Sequence, residues 1–213
     1  MITLIKKYSN IKNIILPNKK INLFVICILF LGVIAGAVFS GIIGLNDKTL
    51  VIDKIHLFIE NVNNNSINSL LAFKNSISIN LIYIFIIFLL GMAVLGIIFN
   101  VLILFFKGFI FGFSIASFII TYSYKGIIIS SFYLIFGQLL NILVLIVLTI
   151  YSIMFSFRLL QLIFKNNNNL NIKKFIKNYA LIFLFAIIIS TISSLSEAFL
   201  LPALIKLIIK IYI

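Results

Sequence analysis

Five long runs without a charged residue dominate this chain: 21–46, 75–106, 108–124, 126–157 and 178–196. Crossing about 30 Å of hydrocarbon takes about 20 mostly apolar residues at roughly 1.5 Å each. Nearly every run is long enough, so the sequence predicts an all-α, polytopic integral membrane helical bundle of about five transmembrane helices. The predicted spans are Leu23–Ile43, Ile77–Ile97 with an extension towards Phe106, Gly108–Tyr122, a segment within Ile127–Phe157, and Tyr179–Leu200. With only 10% of its residues charged, the chain lacks the roughly one-quarter that covers an ordinary soluble domain.

Charge sets the orientation, because Lys and Arg accumulate in cytoplasmic segments. Lys6, Lys7, Lys12, Lys19 and Lys20 precede the first span with no acid among them. Arg158, Lys165, Lys173, Lys174 and Lys177 fill the gap before the last. Both segments, 1–22 and 158–178, are expected to be cytoplasmic, and four crossings between them satisfy that. The loop 45–76 balances Asp47, Asp53 and Glu60 against Lys48, Lys54 and Lys74, which suits the outer face. The whole chain reads as one membrane domain with a cytoplasmic N-terminus and an outer C-terminus.

Two runs exceed a simple span. A continuous helix over 126–157 would reach roughly 48 Å, so Gly126–Phe136 is expected at the outer interface, with a break at Gly137 and the crossing after it. For 75–106 the best cytoplasmic turn is Lys107–Gly108, where Gly suits a helix C-terminus, although any point from Gly96 onward fits. The basic start, the apolar run Leu23–Ile34 and Ala35-Gly36-Ala37 imitate a signal peptide. The run continues through Ile43, which favours an uncut anchor. The Asn63–Asn65 and Asn166–Asn169 tracts read as low-complexity loops.

Small residues mark helix contacts. Gly32, Gly36, Ser40 and Gly44 recur every four residues, as do Gly108, Gly112 and Ala116, and such faces let helices approach closely. They suit packing within the chain or an oligomer seam. Polar side chains are costly in lipid and usually turn towards protein; Asn80, Asn100, Gln138, Asn141 and Glu197 are the candidates here. Gln138 and Asn141 share a face. Glu197, roughly 27 Å along its helix from Tyr179 and five residues before Pro202, is expected to meet headgroup water or to pair with Lys125 or Lys206. In the outer loop Ile52, Ile55, Ile59 and Val62 form an apolar stripe beside Asp53, His56 and Glu60. This predicts an amphipathic helix whose apolar face lies on the bilayer or receives a partner.

The chemistry available is sparse. A single Cys, Cys27, excludes an internal disulfide and a cysteine-based zinc site. One His and four carboxylates leave little for acid–base or metal catalysis. Gly112-Phe113-Ser114 has the outline of an intramembrane serine-protease motif, yet no span holds a His to act as base. No Walker-type phosphate loop is present. The positive excess sits between apolar runs rather than on a solvated basic surface, so nucleic acid is not an expected partner. No enzyme activity, metal or cofactor is expected, and membrane lipid is the expected surrounding.

The order of several features resembles the stage II sporulation protein M family over about Leu23–Ala203. These are Phe30-Leu31-Gly32-Val33-Ile34-Ala35-Gly36, Phe106-Lys107-Gly108 with Gly112-Phe113, Lys125-Gly126, Gly137-Gln138-Leu139-Leu140-Asn141, and Ser196-Glu197-Ala198-Phe199 with Pro202. The resemblance implies a non-enzymatic scaffold in the mother-cell membrane at the sporulation septum. It further implies assembly with stage II sporulation proteins D and P, which cleave peptidoglycan during engulfment of the forespore. The alternative reading is a secondary transporter or channel using Gln138, Asn141 and Glu197.

Overall fold

The computed structural model describes residues 19–93, 95–165 and 172–212. Lys6, Lys7, Lys12 and the Asn166–Asn169 tract lie outside the described residues, as do the side chains of Lys165, Lys173 and Lys174. Among the described residues the regular structure is helical throughout. The helices are α1 (Lys19–Ile42), α2 (Leu45–Asn63), α3 (Ser69–Gly91), α4 (Gly96–Phe132), α5 (Leu139–Lys165), α6 (Ile172–Leu195) and α7 (Leu201–Tyr212). Wider π-helical turns join α4 to α5 at Tyr133–Gln138 and α6 to α7 at Ser196–Leu200.

Four helical stretches are long and apolar enough to cross a membrane: Lys19–Ile42, Ser69–Gly91, Gly96–Leu162 and Phe175–Lys210. The third is 67 residues long and doubles back within α4. Ser123, at φ 50° and ψ −121°, has the backbone of the first central residue of a type II′ turn, a position that favours glycine. Beyond it Gly126 lies against the Phe118 backbone, and Tyr133 meets the rings of Phe118 and Phe111. The four stretches therefore make five passes, the number predicted.

The boundaries differ from those predicted in three places. First, the turn between the second and third passes is Met92–Leu95, not Lys107–Gly108. Buried hydroxyls fix it there by capping the carbonyls that a helix end leaves without partners. Ser156 donates to the carbonyls of Gly91 (2.9 Å) and Ala93 (3.1 Å), and Tyr179 donates to that of Phe88 (3.0 Å). Lys107 and Gly108 are instead buried in the middle of α4. Second, residues 126–136 do not wait at the interface for a break at Gly137. The chain reverses at Ser123, and Gly137 sits inside a π-helical turn that widens the helix without reversing it. Third, the second pass begins at Ser69 rather than Ile77, where the Asn68 side chain caps α3 by accepting from the Leu71 amide at 3.1 Å.

Two apolar cores result. One, towards the end that carries Lys19, Lys20 and Arg158, joins Val25, Ile84, Leu104, Leu148, Ile153 and Tyr179. There Arg158 stacks 3.1 Å from the centre of the Phe175 ring. The other lies at the opposite end, the one expected to face outward, and joins Ile55, Ile59, Val62, Ile129, Ile205 and Ile208.

α1 and α4 run in the same direction, joined along a line of glycines. A β-carbon on Gly32 would lie 3.1 Å from the Phe109 nitrogen, and one on Gly108 would lie 2.6 Å from the Leu29 carbonyl oxygen. Gly36 and Gly112 lie closer still to the facing backbone. Ser40 and Ser117 close the line with a 2.9 Å hydrogen bond, while Ala116 beside it is half-buried. Gly44 departs from the predicted packing face: it precedes α2, and nothing lies within 4 Å of the position of its β-carbon. The signal-like Ala35-Gly36-Ala37 is part of the unbroken, packed α1.

Candidate functional site

Between the two cores lies a layer of polar side chains, built from every helix that crosses it except α1. α3 supplies Ser76 and Asn80, α4 supplies Lys107, the π-turn before α5 supplies Gln138, and α6 with its own π-turn supplies Ser194 and Glu197. The second π-turn has a clear origin. Pro202 has no N–H, so the α-type bond from residue 202 to the carbonyl of residue 198 cannot form, and the ring crowds that carbonyl. The helix widens instead, and the Leu201 amide bonds to Ser196 five residues back. In the first π-turn the Leu139 amide likewise reaches Leu134. Such turns reorient side chains and often accompany functional positions. Here each aims one polar residue at the other.

Glu197 is held from two sides. Gln138 Nε2 donates to Oε1 at 2.8 Å, and Ser76 Oγ donates to Oε2 at 2.6 Å. Asn80 Nδ2 donates to Ser194 Oγ at 3.2 Å and to Ser76 Oγ at 3.3 Å. The cation facing Glu197 is Lys107, which attracts it electrostatically across the layer. The Lys107 ammonium also lies 4.8 Å from the centre of the Tyr83 ring. Glu197 therefore meets neither of its predicted partners. Lys125 is half-buried and makes no ion pair with it, and Lys206 donates to Asn65 Oδ1 at 2.6 Å. Glu197 is half-buried; a carboxylate at such a depth in lipid needs donors and a counter-charge, and the interior of the bundle provides both.

The other predicted polar residues are also turned inward. Asn141 accepts from Ser190 at 3.1 Å, one layer below Gln138, with its Nδ2 buried and unpaired. Asn100 donates to Ser152, which in turn donates to the Ile87 carbonyl at 3.2 Å. Gln138 and Asn141 thus share a face as predicted, both turned to the last helical pass. Sequence reasoning missed Lys107, taken for a loop residue, and the serines Ser76, Ser152, Ser156, Ser190 and Ser194. From the end of the first π-turn along α5 the signal was present as a polar stripe at 138, 141, 145, 149, 152 and 156, broken only by Leu145.

The amphipathic outer helix exists as α2, but its apolar face is already covered. Ile55, Ile59 and Val62 are buried against α7 and the hairpin of α4, and Ile52 is half-buried beside them. The predicted partner-binding stripe is therefore filled within the chain, because the C-terminal helix supplies the apolar surface it needs. Asp53 and Glu60 remain exposed. His56 Nδ1 pairs with the Tyr122 hydroxyl at 2.8 Å, edge to face with its ring, and so fastens α2 beside the Ser123 turn.

Comparison with curated proteins and with solved structures found no match. The family model for Stage II sporulation protein M matches residues 23–202, a range that includes the glycine line, both π-turns and the whole polar layer. On that match, which covers most of its length, the chain belongs to the stage II sporulation protein M family and is a sporulation-related membrane protein.

Proposed function

We propose that this protein is a non-enzymatic membrane scaffold for endospore formation. It recruits and localises peptidoglycan-degrading partners at the septal mother-cell membrane while the forespore is engulfed. The partners are stage II sporulation proteins D and P, as the family resemblance implies. The observation that carries the reading is the state of the polar layer. Glu197, Gln138, Ser76 and Asn80 are bonded to one another within the bundle, an arrangement suited to holding helices together. The face offered to partners is the exposed side of α2, where Asp53, Leu57 and Glu60 project away from the second core. Charge and apolar area alternate there, as on the rim of a protein interface.

The test is capture in sporulating-cell membranes. Wild-type chain should pull down both partners. A variant carrying Asp53→Lys, Leu57→Asp and Glu60→Lys should lose them while remaining in the membrane. Equal capture by the two forms would refute this assignment of the face.

A second reading, a transporter or channel, draws on one observation: the unpaired, buried Nδ2 of Asn141 next to Gln138 and Glu197. Solute and ion flux through vesicles containing wild type or Glu197→Gln separates the two readings. The scaffold predicts no flux from either form.

A further inference from the structure

Where α2 crosses the outer half of α4, the two helices do not close on each other. A groove of about 360 Å³ separates Leu50, Val51 and Ile55 on α2 from Phe113 and Phe118 on α4. At about 30 Å³ for a water-sized group, that is room for about a dozen methylene-sized groups. Val51 and Ser117 also line a neighbouring cleft of about 10 Å³ that reaches Thr121 and Ser40 near the end of α1, so the groove and this cleft lie side by side along α4.

The walls do not call for a polar ligand. The hydroxyls of Ser114, Ser117 and Thr121 sit on one face of α4, and each is already engaged. Ser114 donates to the Ile110 carbonyl at 2.9 Å, Ser117 pairs with Ser40 at 2.9 Å, and Thr121 donates to the Ser117 carbonyl at 2.8 Å. What remains facing the groove is hydrocarbon. The charged residues lining the two spaces are both cations: Lys54 on the groove and Lys48 on the cleft. Asp47 and Asp53, their neighbours on α2, line neither space and are exposed. An apolar slot with a cationic rim, at the outer end of a membrane bundle, matches an amphiphile with a long chain and an anionic head.

We propose that this groove holds one acyl chain of an anionic phospholipid of the outer leaflet, with the head group drawn to Lys54 and Lys48. The lipid fills the gap between α2 and α4 and completes the outer core. This rests on the groove and its two lysines and holds whether or not partners dock on the adjoining Asp53, Leu57 and Glu60 face of α2.

The experiment uses full-length protein in nanodiscs of equimolar phosphatidylcholine and phosphatidylglycerol. The lipid retained after detergent transfer is then counted by native mass spectrometry. Wild type should keep one phosphatidylglycerol in preference to phosphatidylcholine. Leu50→Trp, which fills the groove from an exposed rim position and leaves the Ser40–Ser117 bond untouched, should lose the retained lipid. Lys48→Gln with Lys54→Gln should keep a lipid but lose the preference for phosphatidylglycerol by roughly tenfold or more, from the pull two lysines exert on anionic lipid. Retention of the same lipid by Leu50→Trp, no preference in wild type, or displacement of the lipid by inorganic phosphate would each overturn the proposal.

Discussion

Replacing Gly36 with Ala tests how closely α1 and α4 must approach. A β-carbon at Gly36 would lie 2.8 Å from the Phe109 carbonyl carbon and 2.9 Å from the Phe113 nitrogen. Those are backbone atoms, so no side chain can swing aside. The Phe109 carbonyl oxygen is closer still, so restoring even the carbon–carbon contact to about 3.5 Å sets a minimum separation of the helices of roughly 0.7 Å. That separation loosens every contact along the line, from Gly32 with Gly108 through to Ser40 with Ser117. Overpacking of this kind costs about 1–3 kcal/mol. Gly41 is the control in the same helix, since nothing lies within 4 Å of its β-carbon position. Gly41→Ala should be neutral or gain about 0.5–1 kcal/mol from helix propensity. The two variants should then differ by about 1–4 kcal/mol. The assay is an SDS titration in mixed micelles followed by near-ultraviolet circular dichroism of the tyrosines, with wild type and both variants run in parallel. Equal midpoints for Gly36→Ala and Gly41→Ala would refute the close approach.

Three further outcomes follow from the same geometry. Ser123→Gly should stabilise the chain by about 1 kcal/mol, because the positive φ at the hairpin corner costs serine about that much or more; a lower SDS midpoint would contradict the turn. Glu197→Gln, Lys107→Met and the double variant should form a cycle with a coupling free energy of about 0.5–3 kcal/mol, the range for interacting residues, and strict additivity would show that the two charges do not feel each other. Tyr122→Phe should cost about 0.5–1.5 kcal/mol through loss of the His56 bond and speed hydrogen exchange in α2, so unchanged exchange there would place the fastening elsewhere.

The membrane class and the number of passes were legible in the sequence because both follow from long uncharged runs. The glycine line was legible for Gly32, Gly36, Gly108 and Gly112, whose four-residue spacing marks one helical face. Gly44 continued the spacing but not the helix, and spacing alone does not report where a helix stops. The turn at Met92–Leu95 was hidden because its cause is remote in sequence: Ser156 and Tyr179 cap carbonyls of α3 from two other helices. Lys107 misled for a related reason. A lysine between apolar runs reads as a boundary unless its counter-charge is known, and that charge, Glu197, lies 90 positions further along the chain. The apolar stripe of α2 was read correctly as a stripe, but its occupant, α7, could be identified only once the chain had folded back.

In the proposed scaffold role this chain would gather other molecules' wall-cleaving activity and perform no turnover itself. Co-flotation with reconstituted vesicles tests it most directly: purified chain in lipid vesicles is mixed with the extracytoplasmic parts of stage II sporulation proteins D and P and centrifuged on a density gradient. The scaffold account predicts that both partners rise with vesicles containing the wild-type chain and stay below with empty ones, while the chain alone neither degrades peptidoglycan nor passes solute. Partners that remain at the bottom of the gradient, together with flux through the chain alone, would contradict it.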